Sequence, residues 1–391
     1  MITTYKYRLY QSKRDRPLRD TITLCGRAYN HCIALHKRYY QLTGKHLNQY
    51  ALMKHLTKLK QQPKYEWLGH IPSQALQDIA QRIEKGYRLF FKSAAGEIGS
   101  RVRPPSFKKS RKYASFTLKQ AGYGFLDDNR IRIGSRVYKY VKDRELAGKI
   151  KTVSVKRDRI GNLYLGVAQE VPEPPFKPTT GKMAGVDFGL KTFLTLHDGF
   201  GTYQIASPLF FKQSLVAVRQ ANRNLSRKQK GSHHRRQAKR KLALTHERVS
   251  NRRKDWFFKL AHELTDRYDV LFFETLNLRG MQRLWGRKVS DLAFGMFLKI
   301  VEHVAHKKGK LVHSIDRFYP SSKTCGHCGC IHQDLKLSDR WWRCPTCTRV
   351  VDRDHNAAVN IYREGASSLG EVDVRPTPVG PSMVIPETHT L

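Results

Sequence analysis

Ala184-Gly185-Val186-Asp187-Phe188-Gly189, followed by Thr192-Phe193-Leu194-Thr195-Leu196-His197, gives two short apolar runs. The first ends in a carboxylate and a glycine, and the second ends at an Asp198-Gly199 turn. A buried strand that finishes in Asp then Gly holds its carboxylate at the edge of a sheet. Val270-Leu271-Phe272-Phe273-Glu274 repeats the design with Glu274 at its end. From Met183 the pattern is mixed α/β. A long polar helical pair spans about 208–262, a helix about 291–307, a strand 310–315 and a final helix about 354–363. Residues 366–391 are rich in Pro, Ser, Gly and Thr without a period, which predicts a mobile tail.

Toward the N-terminus the pattern changes. Residues 5–10 alternate as an isolated strand would. Leu18, Ile22, Cys25, Tyr29 and Cys32 recur at four-three-four-three spacing, one buried helical stripe that makes Cys25 and Cys32 ordinary core residues. A second helix is expected over Gln49–Lys60. A third begins at Pro72 and runs through Leu76, Ile79, Ile83, Tyr87 and Phe90. Arg101–Lys112 breaks helix and carries six basic residues. After it the period is two, over Ser115–Leu118, Arg130–Ile133 and Val137–Val141, and then over Ile150–Arg157 and Asn162–Gln169 around an Asp158–Gly161 turn. This middle region reads as a small β-barrel that the first strand joins, with the helices as an insertion. Val171–Gly181, with four prolines, is a linker.

The charge is the dominant compositional fact: 73 Lys+Arg against 32 Asp+Glu, net +41 in 391 residues. Such an imbalance needs a polyanion, and nucleic acid is the expected partner. An anionic membrane is the rival, but no basic amphipathic helix, lipidation signal or run long enough to span a bilayer is present. The N-terminus lacks the apolar run of a signal peptide, so a cytoplasmic, nucleoid-associated protein is expected.

Five of the seven cysteines fall within residues 325–347. Cys325-x2-Cys328 and Cys344-x2-Cys347, separated by 15 residues, have the spacing of a closed four-thiolate zinc site, which is structural. Cys330, His327 and His332 are substitute ligands. Trp341 and Trp342 are expected to pack beneath the metal. Asp187, Glu274 and Asp354 form a second candidate constellation. Acidic oxygens that converge from separate elements can hold two Mg²⁺ ions, which clamp the attacking and leaving oxygens of a phosphodiester. Asp352 competes with Asp354 for that role, and Asp354 has the alternative role of a helix N-cap.

Gly-Val-Asp-Phe-Gly-Leu-Lys (185–191), Phe-Glu-Thr-Leu-Asn-Leu (273–278), Pro-Ser-Ser-Lys-Thr-Cys-Gly-His-Cys-Gly (320–329), Cys-Pro-Thr-Cys (344–347) and Asp-Arg-Asp-His-Asn-Ala-Ala-Val-Asn-Ile (352–361) resemble the TnpB family. These are insertion-sequence proteins related to type V CRISPR effectors. The resemblance implies an α/β multi-domain fold: a wedge β-barrel (1–10 and 106–172), a helical recognition bundle (11–105), an RNase H-like RuvC nuclease (183–320 and 350–366), a zinc insertion (321–349) and a flexible tail (367–391). It implies RNA-guided cleavage of double-stranded DNA beside a short transposon-adjacent motif, with a guide RNA from the transposon end. The implied catalytic and magnesium-binding triad is Asp187, Glu274 and Asp354, and the implied zinc ligands are Cys325, Cys328, Cys344 and Cys347. The chain departs from the family pattern at His355, commonly Glu, and at Thr275, often Asp. Ser73 and Gln77, aligned by way of Trp67-Leu68, are the candidates for reading the adjacent motif.

Residues 219–254 carry 14 Lys/Arg and one acidic residue, Glu247. A solvated helix mixes signs, so this imbalance points to phosphate contact. Arg235, Arg236, Lys239 and Arg240 are the candidates there, with Arg101, Arg103, Lys108 and Lys109 in the earlier basic stretch. Two other readings compete. A transposase that cuts and joins ends with paired histidines and a tyrosine lacks a His-x-His constellation. A nuclease-inactive regulator would share every feature except a working triad.

Overall fold

The computed structural model describes residues 1–12, 15–126, 129–336 and 338–370. The chain divides into two compact units at Glu173/Pro174.

The first unit opens with strand β1 (Ile2–Arg8) and continues with helices α1 (Arg16–Thr43), α2 (Gln49–Lys60) and α3 (Ser73–Ala94). The expected stripe of α1 is buried throughout: Leu18, Ile22, Cys25, Tyr29 and Cys32. Asn48 caps α2 by accepting from the Ala51 amide. Pro72 stands one residue before α3 at its N-cap, so the helix starts at Ser73. Six strands follow: β2 (Ser115–Leu118), β3 (Tyr123–Leu126), β4 (Arg130–Ile133), β5 (Arg136–Lys139), β6 (Lys149–Arg157) and β7 (Leu163–Glu170). β1 pairs antiparallel with β7, in the order β1-β7-β6-β2, so the helices are an insertion within one sheet. β3, β4 and β5 form a second sheet, joined to the first by the bridge Leu9–Tyr140. One core runs through helices and both sheets, from Tyr7 and Ile22 to Phe116, Ile131 and Leu165.

The second unit is built on a five-stranded sheet in the order β10-β9-β8-β11-β12, with β8 Met183–Phe188, β9 Thr192–His197, β10 Thr202–Ala206, β11 Val270–Glu274 and β12 Leu311–Ile315. β8, β11 and β12 are parallel, and the β8-β9-β10 meander is antiparallel. The polar helical pair is α5 (Leu215–Ser226) and α6 (His233–Arg267), preceded by a single turn, α4 (Phe210–Gln213). α6 buries nothing before Val249, so its basic first half is carried outside the core. α7 (Leu278–Leu292) was not expected from the sequence. Gly280 and Gly286 lower its propensity, and its backbone kinks at Trp285-Gly286. α8 (Phe294–Lys307) matches the predicted helix at its C-terminal end. A two-stranded ribbon, β13 (Trp341–Arg343) and β14 (Val350–Asp352), leads into α9 (Arg353–Ser368). The mobile tail expected over 367–391 lies outside the described residues from 371 onward, and Ser367 and Ser368 are still helical.

Candidate active site and metal centre

Strand alternation decides which side chains can meet. Ala184, Val186 and Phe188 of β8, with Leu271 and Phe273 of β11, join α6 and α8 in one apolar cluster. Gly185, Asp187, Phe272 and Glu274 therefore face the other side, where α9 lies. A Cβ on Gly185 would overlap the Tyr362 amide nitrogen and the Ala358 carbonyl oxygen, and one on Gly365 would overlap the Phe272 ring. The helix thus rests directly on the two strands. Val186 pairs with Phe273 in parallel register, so Asp187 and Glu274 end adjacent strands side by side. Asp354 lies one turn before Ala358, at the end of α9 that overhangs them.

Asp187 is near enough to the other two carboxylates to feel their charge, although the three do not all bring oxygens within 4.8 Å of one another. Burial pushes the Asp187 carboxyl up to about 8, and the negative charges of Glu274 and Asp354 add to the rise. Burial also raises Glu274, against a hydrogen bond from Ser321 and the positive charge of Arg353. A buried carboxylate whose proton affinity is raised by two carboxylate neighbours is a hard-oxygen donor that suits a divalent cation. The structure supplies a cation of its own: Arg340 Nη1 donates to both oxygens of Asp354, at 3.0 and 3.3 Å.

The structure distinguishes Asp352 from Asp354. Asp352 is the N-cap of α9 and accepts from the His355 amide at 2.9 Å. Asp354, in the first turn, has its carboxylate on Arg340 instead. The neighbouring His355 bonds Thr202 on β10 at 3.0 Å.

Cys325, Cys328, Cys344 and Cys347 bring their sulfurs within 4.8 Å of one another, and they are the one such group of ligand atoms among the described residues. Cys330, His327 and His332 stand outside it. The first knuckle turns through Gly329, whose φ of 77° suits glycine. Trp342 packs against Cys325, Cys344 and Leu335. Trp341, also expected beneath the metal, is 66% exposed instead. Successive residues of a strand point to opposite sides, so only one of the two can do so.

Residues that the sequence reading missed tie this module to the carboxylates. Asn356 Oδ1 accepts from the Gly326 amide at 2.7 Å, while Asn356 and Asn360 Nδ2 both donate to the Thr324 carbonyl at 2.6 Å. Asn360 also donates to the Ser321 carbonyl at 2.8 Å. Their i, i+4 spacing directly after Asp354 is the signal that could have found them. Ser321 and Arg340 carry no comparable pattern.

The nucleic-acid candidates divide. Ser73 and Gln77 are exposed one turn apart on α3, and Arg101, Arg103, Lys109, Arg236, Lys239 and Arg240 are exposed. Lys108 is held by its own unit: its backbone exchanges two hydrogen bonds with the Asn30 side chain, and its ammonium sits 4.6 Å above the Tyr29 ring. Arg235 donates to the Leu225 and Lys228 carbonyls and so locks the α5–α6 turn. No helix among the described residues is long and apolar enough to cross a membrane.

Comparison with known proteins agrees with this architecture. Residues 166–284 match a family described as "Probable transposase", and residues 294–361 match a "Cas12f1-like, TNB domain". A Mycobacterium tuberculosis protein, "Putative RNA-guided DNA endonuclease Rv2885c", is 32% identical over 334 residues, 78% of this chain and 72% of that one. A Streptomyces pristinaespiralis protein named "Putative RNA-guided DNA endonuclease" is 28% identical over 95% of this chain and 92% of its own length. The fold is similar to that in the "Cryo-EM structure of the Cas12f1-sgRNA-target DNA complex", with a TM-score of 0.56 at 15% identity, covering 90% of this chain and 83% of that one. The fold is a multi-domain α/β fold similar to that of Cas12f1. The chain belongs to the TnpB family of transposon-encoded proteins.

Proposed function

We propose that this protein is an RNA-guided DNA endonuclease that hydrolyses a phosphodiester of double-stranded DNA beside a short adjacent motif. The observation that carries the reading is that Asp187 and Glu274 end adjacent parallel strands on the face that α9 covers, with Asp354 near enough to act on Asp187, in a chain of net charge +41. The names of its relatives, which span nearly the whole chain, support the same activity.

Asp187, Glu274 and Asp354 would hold two Mg²⁺ ions, which when bound supply Lewis-acid charge and lower the pKa of water. The protein's own groups keep that set aligned. Buried Ser321 favours the charged form of Glu274. Arg340 holds Asp354 toward the zinc module, and Arg353 lends positive charge to Asp187 and Glu274. Burial of the strand ends keeps bulk water from screening these charges. Cys325, Cys328, Cys344 and Cys347 would hold a structural Zn²⁺. Wedge barrel (1–10, 106–172), recognition bundle (11–105), RuvC domain (183–320, 350–366) and zinc insertion (321–349) are the corresponding assignments. The guide RNA and target DNA would meet the exposed cations of the basic stretches, with Ser73 and Gln77 toward the adjacent motif.

The test is purification from cells carrying the native flanking DNA, sequencing of bound RNA, and Mg²⁺-dependent cleavage of guide-matched DNA beside Asp187→Ala. Cleavage that needs both the match and Asp187 is expected. RNA-dependent binding without cleavage, the same in wild type and variant, would replace this reading with that of a regulator.

A further inference from the structure

The loop between β12 and the zinc module is anchored at both ends to the carboxylate site. At one end, Ile315 pairs in register with Glu274, and its carbonyl accepts from the Thr275 hydroxyl at 3.1 Å. At the other, Ser321 is buried, its carbonyl accepts from Asn360 of α9 at 2.8 Å, and its side chain favours the charged form of Glu274. Phe318 stands midway between these anchors. Each is three residues away, so its Cα lies within about 11 Å of both, or about three base steps of a nucleic-acid strand. The neighbouring Tyr319 turns inward onto the apolar cluster under α9, whereas Phe318 is 86% exposed. Its amide donates to Asp316 Oδ1 at 2.6 Å, which fixes the tip, and the Arg317 guanidinium lies 5.8 Å from its ring centroid.

An almost fully exposed phenylalanine gains nothing from the core. An exposed ring on a hydrogen-bonded turn, with a guanidinium beside it, on a basic protein and next to the proposed hydrolytic site, is a stacking surface for an unpaired base. We propose that Phe318 is a positioning residue. In this role it stacks on a nucleobase of the DNA strand entering the carboxylate site, within a few nucleotides of the scissile bond, while Arg317 meets the adjacent phosphate. The proposal rests on the nuclease reading above.

The experiment uses the full chain with its guide RNA and a matched target whose strands carry 5-iodouracil at successive positions around the cut. Asp187→Ala prevents cleavage during irradiation. A photo-adduct on Phe318 at one or two adjacent positions, lost in Phe318→Ala, is expected; adducts only outside 316–320 overturn the proposal. With Asp187 intact, Phe318→Ala raises KM about ten-fold, the loss of one base stack, and leaves kcat unchanged. An abasic nucleotide at the crosslinked position costs the wild type as much and costs Phe318→Ala nothing further, and Phe318→Trp restores wild-type behaviour. An unchanged KM in Phe318→Ala, or an abasic penalty that survives it, overturns the proposal. Should the wild type cut nothing, the nuclease reading fails, and the crosslink still decides whether Phe318 stacks.

Discussion

The two units bury their strands differently. In the first, β6 and β7 alternate between buried and more accessible positions, because these antiparallel strands pack one face on the core and leave the other accessible. In the second, β8 and β11 are buried on nearly every residue, because α6 and α8 cover one face of the sheet and α9 the other. A carboxylate at the end of a strand buried on both faces is conspicuous, since nothing in the core explains it. A polar residue on a half-exposed strand or helix is ordinary. The candidate site of the second unit is therefore readable from residue order, whereas the proposed recognition surface of the first looks like any solvated face.

The sharpest way to break the comparison is to disrupt the four-cysteine cluster that would hold the zinc. Cys344→Ser, or chelation, should unfold the zinc module and loosen α9 through Asn356 and Asn360. A structural zinc site contributes on the order of 10 kcal/mol to the element it organises. The second unit's thermal transition should fall by many degrees while the first unit's holds, as calorimetry would show; a common shift would deny the units their independence.

Next in size is Gly185→Ala. The added methyl meets backbone of α9 at Ala358 and Tyr362, which cannot yield as a flexible side chain would. An overpacking cost of about 1–3 kcal/mol and a loss of cleavage larger than the loss of stability predicts are expected, because the same displacement moves Asp354. Gly134→Ala, in the first unit, meets no atom within 4 Å but has φ of 61°, so it should cost less and spare cleavage.

On the basic face, Lys239→Glu and Arg236→Glu should weaken RNA or DNA binding uniformly across sequences. Removing one phosphate contact lowers the salt slope of binding by about one. Arg235→Glu should instead destabilise the α5–α6 turn, visible as lost helicity by circular dichroism, because its guanidinium caps carbonyls of the chain itself.

The smallest expected effect is in pH dependence, and its sign differs between the units. Burial lowers His36, and the neighbouring His46 lowers it further, while Glu84 opposes; Tyr87 stacks on its ring. A lowered histidine leaves the folded state with fewer bound protons than the unfolded one, so its stabilisation is lost as pH falls below about 6.5. Asp187 is raised to about 8, so the folded state holds its proton longer and stability is lost as pH rises between about 4 and 8 when no divalent cation is present. Melting temperatures of His36→Gln and Asp187→Asn against wild type, with and without Mg²⁺, should show opposite slopes. An Asp187→Asn difference that ignores both pH and Mg²⁺ would remove the cation from the picture of this site.

Residue order alone was enough for the helical stripe of α1, the insertion of the helices into the first sheet, the apolar strands ending in Asp187 and Glu274, and the cysteine quartet. Each is a short-range pattern whose period or spacing is its own geometry. Order alone left Asp352 and Asp354 as rivals, because a cap and a converging carboxylate look alike until the partner is known. It assigned both tryptophans to the metal, although a strand can turn only one of them inward. It did not reveal α7, whose glycines mask its period, nor Arg340 and Ser321, whose partners lie 14 residues and 47 residues away in sequence. Those facts belong to the tertiary structure. The strand ends gain Asp354 as a neighbour only because α9 lies on Gly185, and that approach is fixed by the absence of a side chain on one residue and the packing of another element against it.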